Sequence, residues 1–180
     1  MTHKILGISG SLREDSDNSK LVREAARLFG DAELTEADLN LPLYDGDVEA
    51  ESGVPANVQA LADQIAAANA IVISTPEYNA GISGVLKNAL DWVSRTESNP
   101  WEGKPVAVMS AAAGRAGGIR AQTMLRTSMT SFNVRFAPAS EVAVASSYQE
   151  FEENGQLKSE HYQASLTRLM NALRGEISGH

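Results

Sequence analysis

The sequence predicts an α/β fold, a parallel sheet with helices on both faces. Strand-like and helix-like segments alternate from one end to the other, and AIVIST (70–75) is a continuous apolar run with no polar alternation. Loops rich in Gly, Pro, Asn and Ser separate the segments. Right-handed crossovers then place the helices in two layers around the sheet.

Residues 3–9 (HKILGIS) open the pattern as a buried strand that stops at a Gly-Ser pair. A helix follows over 19–29, where Leu21, Val22, Ala25, Ala26 and Phe29 recur at helical spacing before Gly30. Residues 32–39 (AELTEADL) form a second strand, and 54–70 an alanine-rich helix with a proline near its first turn. AIVIST (70–75) lacks any polar alternation, which predicts a strand at the centre of the sheet. The segment 82–95 carries Val85, Leu86, Ala89, Leu90 and Val93 on one helical stripe. PVAVMS (105–110) is the fourth strand, 118–128 a helix, 133–145 a single fifth strand and 160–177 an amphipathic last helix. Five strands and five helices are expected.

Composition narrows the function. The chain has 180 residues, one domain's worth, with 43% hydrophobic and 21% charged residues, the balance of a soluble globular protein. A net charge of −8 and the lack of any basic run oppose a nucleic-acid surface, since phosphate neutralisation needs clustered Lys and Arg. With no cysteine, thiol catalysis and thiolate metal sites are excluded, so redox chemistry requires a bound cofactor. No apolar run reaches the roughly 20 residues that span a bilayer. The amino terminus lacks the pattern of a secretory signal, so a cytoplasmic protein is expected.

Ligands in such sheets bind beyond the carboxyl ends of the strands, where strand order reverses. Three loops lie there. The first, 10–21 (GSLREDSDNSKL), runs into a helix amino terminus whose unpaired N–H groups suit an anion. Ser11, Ser16, Asn18 and Ser19 offer short polar side chains and Arg13 a fork that fits phosphate oxygens. Helix capping alone also explains Ser16, Asn18 or Ser19, but not Arg13. Asp15 and Asp17 oppose an anion unless they point away. Neither the Gly-x-Gly-x-x-Gly fingerprint nor a P-loop is present, so a monophosphate fits better than a pyrophosphate.

In the second loop, 75–84, Pro76 gives rigidity, and backbone groups of Glu77, Tyr78 and Asn79 have the mixed donors and acceptors that a uracil-like edge requires; an ordinary turn has the same composition. In the third, 110–122, the small residues from Ser110 and Ala111 to Gly114 let the backbone approach a ligand. The Gly117-Gly118 pair either forms a nest of donors or packs a helix closely.

GSLREDSDN, LPLYDGDVE, TPEYNAGISGVLKNALDWVSR, GKPVAVMS and GRAGGIRAQTMLR stand in this order along most of the chain. Together they resemble the NADPH-dependent FMN reductase family, in particular its quinone, chromate and azo-dye reductase branch. The resemblance implies a flavodoxin-like three-layer sandwich with sheet order 2-1-3-4-5, bound FMN, and NADPH or NADH as electron donor to a small acceptor. It implies that Ser11, Arg13, Ser16 and Asn18 hold the FMN phosphate, that Pro76 to Asn79 border the isoalloxazine, and that Ser110 to Gly114 face the ring or ribityl chain. Relatives often carry hydroxyl residues where this chain has Ala111, Ala112 and Ala113, so contacts there are expected through the backbone. Ser140 stands before Glu141 where relatives often have proline. A homodimer or homotetramer is also implied, with Asp91, Trp92 and Arg95 either at the subunit boundary or, for Trp92, in the core and, for Arg95, at a solvated helix end.

No protein acid, base or metal is expected to carry the chemistry, which belongs to the cofactor. His3, His161 and His180 lie outside the ligand loops. Two other readings share parts of the pattern. A flavodoxin-type electron carrier has the same fold without a substrate of its own, and a flavin-free nicotinamide dehydrogenase needs the dinucleotide glycines that are missing here.

Overall fold

The computed structural model describes residues 2–179, so His180 lies outside the described residues. The elements run β1 (His3–Ser9), α1 (Asp17–Phe29), β2 (Ala32–Glu36), α2 (Gly46–Ser52), α3 (Ala56–Ala67), β3 (Ala70–Thr75) and α4 (Gly84–Val93). They continue with β4 (Pro105–Ala111), α5 (Ile119–Ser128), β5 (Arg135–Phe136), β6 (Val142–Val144) and α6 (Glu160–Ser178). Short 3₁₀ turns cover Thr130–Phe132 and Ser147–Gln149.

The sheet is parallel with order β2-β1-β3-β4-β5, and β6 also pairs with β4. AIVIST is therefore central, and all six of its residues are buried. Alternate residues feed the two layers. Leu6, Ile8, Ile71, Ile73, Val106 and Val108 pack under α3, α4 and α5. Ile5, Val72, Ala107 and Met109 face α1 and α6. Each fully buried Val, Leu or Ile contributes about 1.5–3 kcal/mol.

Two expectations are corrected. The single fifth strand is two strands on the same edge of β4: Arg135–Phe136 pairs with Pro105–Val106, and Val142–Val144 with Met109–Ala111. Pro138 lies between them and has no N–H for the ladder, so the chain leaves the sheet and returns. The helix Gly46–Ser52 was not predicted, because none of its residues is buried and no apolar stripe marks it. Its ends are nonetheless specified. The Asp45 side chain caps the Asp47 amide, and Gly53 closes it at φ 74°.

The 41–45 stretch leading into α2 is fixed to α4. Trp92 is fully buried, its Nε1 donates to the Pro42 carbonyl at 2.7 Å, and Tyr44 meets its ring edge-on at 5.0 Å. Arg95 pairs with Glu49 of α2 at 3.0 Å. Within the chain, then, Trp92 is a core residue and Arg95 a helix-end cation with a partner.

Candidate functional site

Beyond the carboxyl ends of β1, β3 and β4 the three loops enclose a cavity of about 370 Å³. This volume falls within the roughly 300–1,000 Å³ of cofactor sites. One wall is the loop from Ser11 to Lys20, a second Pro76 to Tyr78, a third Ala111 to Ala113, and a fourth Ser147 and Tyr148.

The first wall has the donors that an anion cup needs. Ser16 caps α1, accepting from the Asn18 amide at 3.2 Å, while the amides of Asp17 and Ser19 in the same first turn have no helical acceptor. The Ser11 hydroxyl oxygen accepts from the Arg13 amide at 3.3 Å. Among the described residues the Arg13 guanidinium forms no hydrogen bond or ion pair, although it lines the cavity. One ammonium partly offsets the two aspartates. Lys20 Nζ lies 2.7 Å from Asp15 and 3.7 Å from Asp17, and the Asp15 side chain is 83% exposed. The Lys20 hydrogen bond holds the Asp15 carboxyl below its usual range.

Asn18 lies between the strands and does not project freely into the cup. Its Oδ1 accepts from the Ser74 hydroxyl at 2.7 Å and from the Ala111 amide at 3.1 Å, while its Nδ2 donates to the Ala111 carbonyl at 3.0 Å. One buried amide thus ties α1 to the ends of β3 and β4 and sets the cavity floor. Ser83 does the same for the second loop: its hydroxyl donates to the Gly10 carbonyl at 2.6 Å and accepts from the Leu86 amide that it caps.

Glu77 faces the third loop. Its carboxylate accepts from Arg120 Nε at 2.7 Å and from the Arg120 amide at 3.2 Å, an arrangement that holds its carboxyl below the ordinary range. The clamp is therefore charged at neutral pH, and its stabilisation is lost only as pH falls through that lowered value. Tyr78 and Gly81 exchange both backbone hydrogen bonds at 3.0 Å around Asn79 and Ala80, which have φ of 49° and 64°. Positive φ at both central residues is the signature of a type I′ hairpin, and for Ala80 it costs about 1 kcal/mol.

The structure brings Ser11, Arg13, Ser16, Asn18, Pro76, Glu77, Tyr78 and Ala111 to the cavity. Ser19, Asn79, Ser110 and Gly114 do not line it. The Ser19 hydroxyl turns under the loop to Ser9 at 3.0 Å, and Asn79 is exposed at the hairpin tip. Ser110 is fully buried, donating to the Gly117 carbonyl at 2.6 Å and accepting from Gln122 Nε2 at 2.8 Å. Gly114 is exposed. Close packing accounts for the Gly117-Gly118 pair: a Cβ on Gly117 would lie 2.4 Å from the Ala143 carbonyl oxygen, and one on Gly118 2.8 Å from Ser110 Cβ.

Ser147 and Tyr148 carry no sequence signal of a ligand site. They follow β6, where no glycine or charge pattern marks a ligand loop, and only the pairing of β6 with β4 brings them to the cavity. The break at Pro138 concealed that register.

The chain is similar to known proteins over almost all its length. Residues 3–149 match the model of the NADPH-dependent FMN reductase family. A NAD(P)H-dependent FMN reductase of Pseudomonas aeruginosa is 41% identical over 173 residues, covering 95% of this chain and 93% of that protein. A quinone reductase of Escherichia coli K12 is 41% identical over 126 residues, or 68% of this chain and 67% of its own. Among solved structures, the NAD(P)H:acceptor flavoenzyme FerB of Paracoccus denitrificans superposes with a TM-score of 0.84 at 29% identity, covering 99% of this chain and 98% of FerB. With the cup, the three strand-end loops and the family match in agreement, the chain belongs to the NADPH-dependent FMN reductase family.

Proposed function

We infer that the protein is a NAD(P)H-dependent flavin oxidoreductase that binds FMN in the cavity and passes reducing equivalents to small acceptors, quinones among them. The observation that carries this reading is the unpaired Arg13 guanidinium beside the uncapped first-turn amides of α1, opposite two loops that present backbone to the same cavity. This donor set fits a phosphate monoester, and the small Ala111–Ala113 wall leaves room for a flat ring. The names of the relatives, FMN reductase and quinone reductase, support the cofactor and the acceptor class.

We assign the phosphate to the Arg13 fork, the Ser11 and Ser16 hydroxyls and the first-turn amides, with Ser19 contributing its backbone. Asn18 positions the floor. Pro76 to Tyr78 border the ring, with Glu77 offering its main-chain groups because its side chain is committed to Arg120 and the Tyr78 main chain to Gly81, and Asn79 holds the turn that presents them. Ala111 to Ala113 approach it through backbone, Ser110 and Gly114 supporting that loop from behind and beyond. When bound, FMN supplies hydride acceptance from the nicotinamide and delivery of two electrons to the acceptor. Tyr78 and Tyr148, both largely exposed, flank the opening through which donor and acceptor enter. No side chain in the cavity is placed as an obligatory acid or base in this assignment.

Arg13→Ala is expected to weaken FMN binding to the apoprotein by about 1.5–3 kcal/mol, the scale of a hydrogen bond to a charged group. Fluorescence titration with FMN measures it. Unchanged affinity would remove Arg13 from the site and leave the cup as a helix cap. We further propose a homodimer or homotetramer, as the family resemblance implies, with Leu43, between the Trp92 contacts Pro42 and Tyr44, 85% exposed and Val48 of α2 49% exposed. Light scattering should report a species above monomer mass; monomer mass at micromolar concentration contradicts it.

A further inference from the structure

We propose that Ser147 is a positioning residue for the anion cup, holding the Asp17 carboxylate away from the first-turn amides so that a phosphate can take them. The inference rests on the reading that this cup receives the FMN phosphate. Asp17 is the first residue of α1, where a carboxylate is favoured by the helix dipole and has the same charge as the ligand. Left free, it competes for the donors that the phosphate needs. Both of its oxygens instead have partners in the cavity wall. Ser147 Oγ donates to Oδ2 at 2.7 Å, and Lys20 Nζ lies 3.7 Å from Oδ1.

Ser147 is suited to this task because it is itself fixed. It is only 4% exposed, its N–H donates to the Ala112 carbonyl at 3.1 Å, and Ser146 before it adopts a left-handed φ of 48°. The bond joins residues 130 apart in sequence and closes the cavity between its first and fourth walls. Lys20 cannot replace it. That ammonium sits nearer Asp15, at 2.7 Å, and is shared between both aspartates.

The test compares apoproteins of the wild type, Ser147→Ala, Asp17→Asn and the double variant, each titrated with FMN and with riboflavin, which has the ring but no phosphate. Ser147→Ala should weaken FMN binding about tenfold, the scale of one hydrogen bond to a charged group, and leave riboflavin affinity unchanged. In the Asp17→Asn background the same change should cost less than about twofold, because no charge remains to be held. An equal loss for FMN and riboflavin would show that Ser147 only supports the wall and would overturn the proposal, as would an undiminished loss in the Asp17→Asn background. A wild type that binds FMN no more tightly than riboflavin would instead overturn the phosphate reading of the cup, and this inference with it.

Discussion

Asn18→Ala is expected to lower the stability of the apoprotein by about 3 kcal/mol and to abolish tight FMN binding. The truncation removes the acceptor of the Ser74 hydroxyl and the donor to the Ala111 carbonyl, and takes one acceptor from the Ala111 amide, which the β3–β4 ladder also engages. A buried polar group left unpaired costs about 1–3 kcal/mol, and two such groups at one point are not both rescued by small rotations. Ser74 can turn its hydroxyl elsewhere, but the Ala111 carbonyl cannot move without opening the end of β4. Urea unfolding measures the loss as a lower midpoint at unchanged slope. A loss under about 1 kcal/mol would mean that water replaces the amide and that Asn18 does not organise the floor. Asn18→Asp separates the two roles. It keeps the acceptor oxygen but removes the donor and adds a negative charge below the cup, so FMN affinity should fall further than stability.

A second large effect is expected at Gly117. Its φ of 59° costs an alanine about 1–2 kcal/mol. Its missing side chain also lets β6 approach, since a Cβ would stand 2.4 Å from the carbonyl oxygen and 2.5 Å from the carbonyl carbon of Ala143. Both are backbone atoms that cannot swing aside. Gly117→Ala must push Val142–Val144 away from β4, and Ser147 and Tyr148 move with it, so the stability loss should exceed about 3 kcal/mol. Gly114→Ala is the control: nothing lies within 4 Å of its Cβ position, and the change should stay within about 0.5 kcal/mol. Thermal or urea unfolding of the two variants side by side decides it. Equal, small losses would mean that β6 is loosely held.

The contrast between these two positions shows what local sequence can and cannot disclose. The alternation of apolar runs with amphipathic helices places β1, α1, β3, α4 and β4 within a residue or two, because burial on both faces leaves a periodic trace. Where burial does not act, the trace is absent: α2 has no buried residue, and its ends are defined by Asp45 and Gly53. The cup was legible for the same reason, since Ser11, Arg13 and Ser16 are polar residues clustered at a strand-to-helix turn. Asn18 and Ser110 were legible as polar residues in ligand loops but not as buried ties, which depend on atoms 93 and 12 positions away. Ser147 depends on contact with Asp17 across 130 positions, a distance over which composition carries no signal.

The measurement that most directly tests the account is anaerobic rapid mixing of the FMN-reconstituted protein with NADPH or NADH, with no other protein present. The visible absorbance of the bound flavin should bleach on mixing and return when a quinone is added. A flavin that binds but stays oxidised until a separate reductase is supplied would contradict this reading and make the protein an electron carrier.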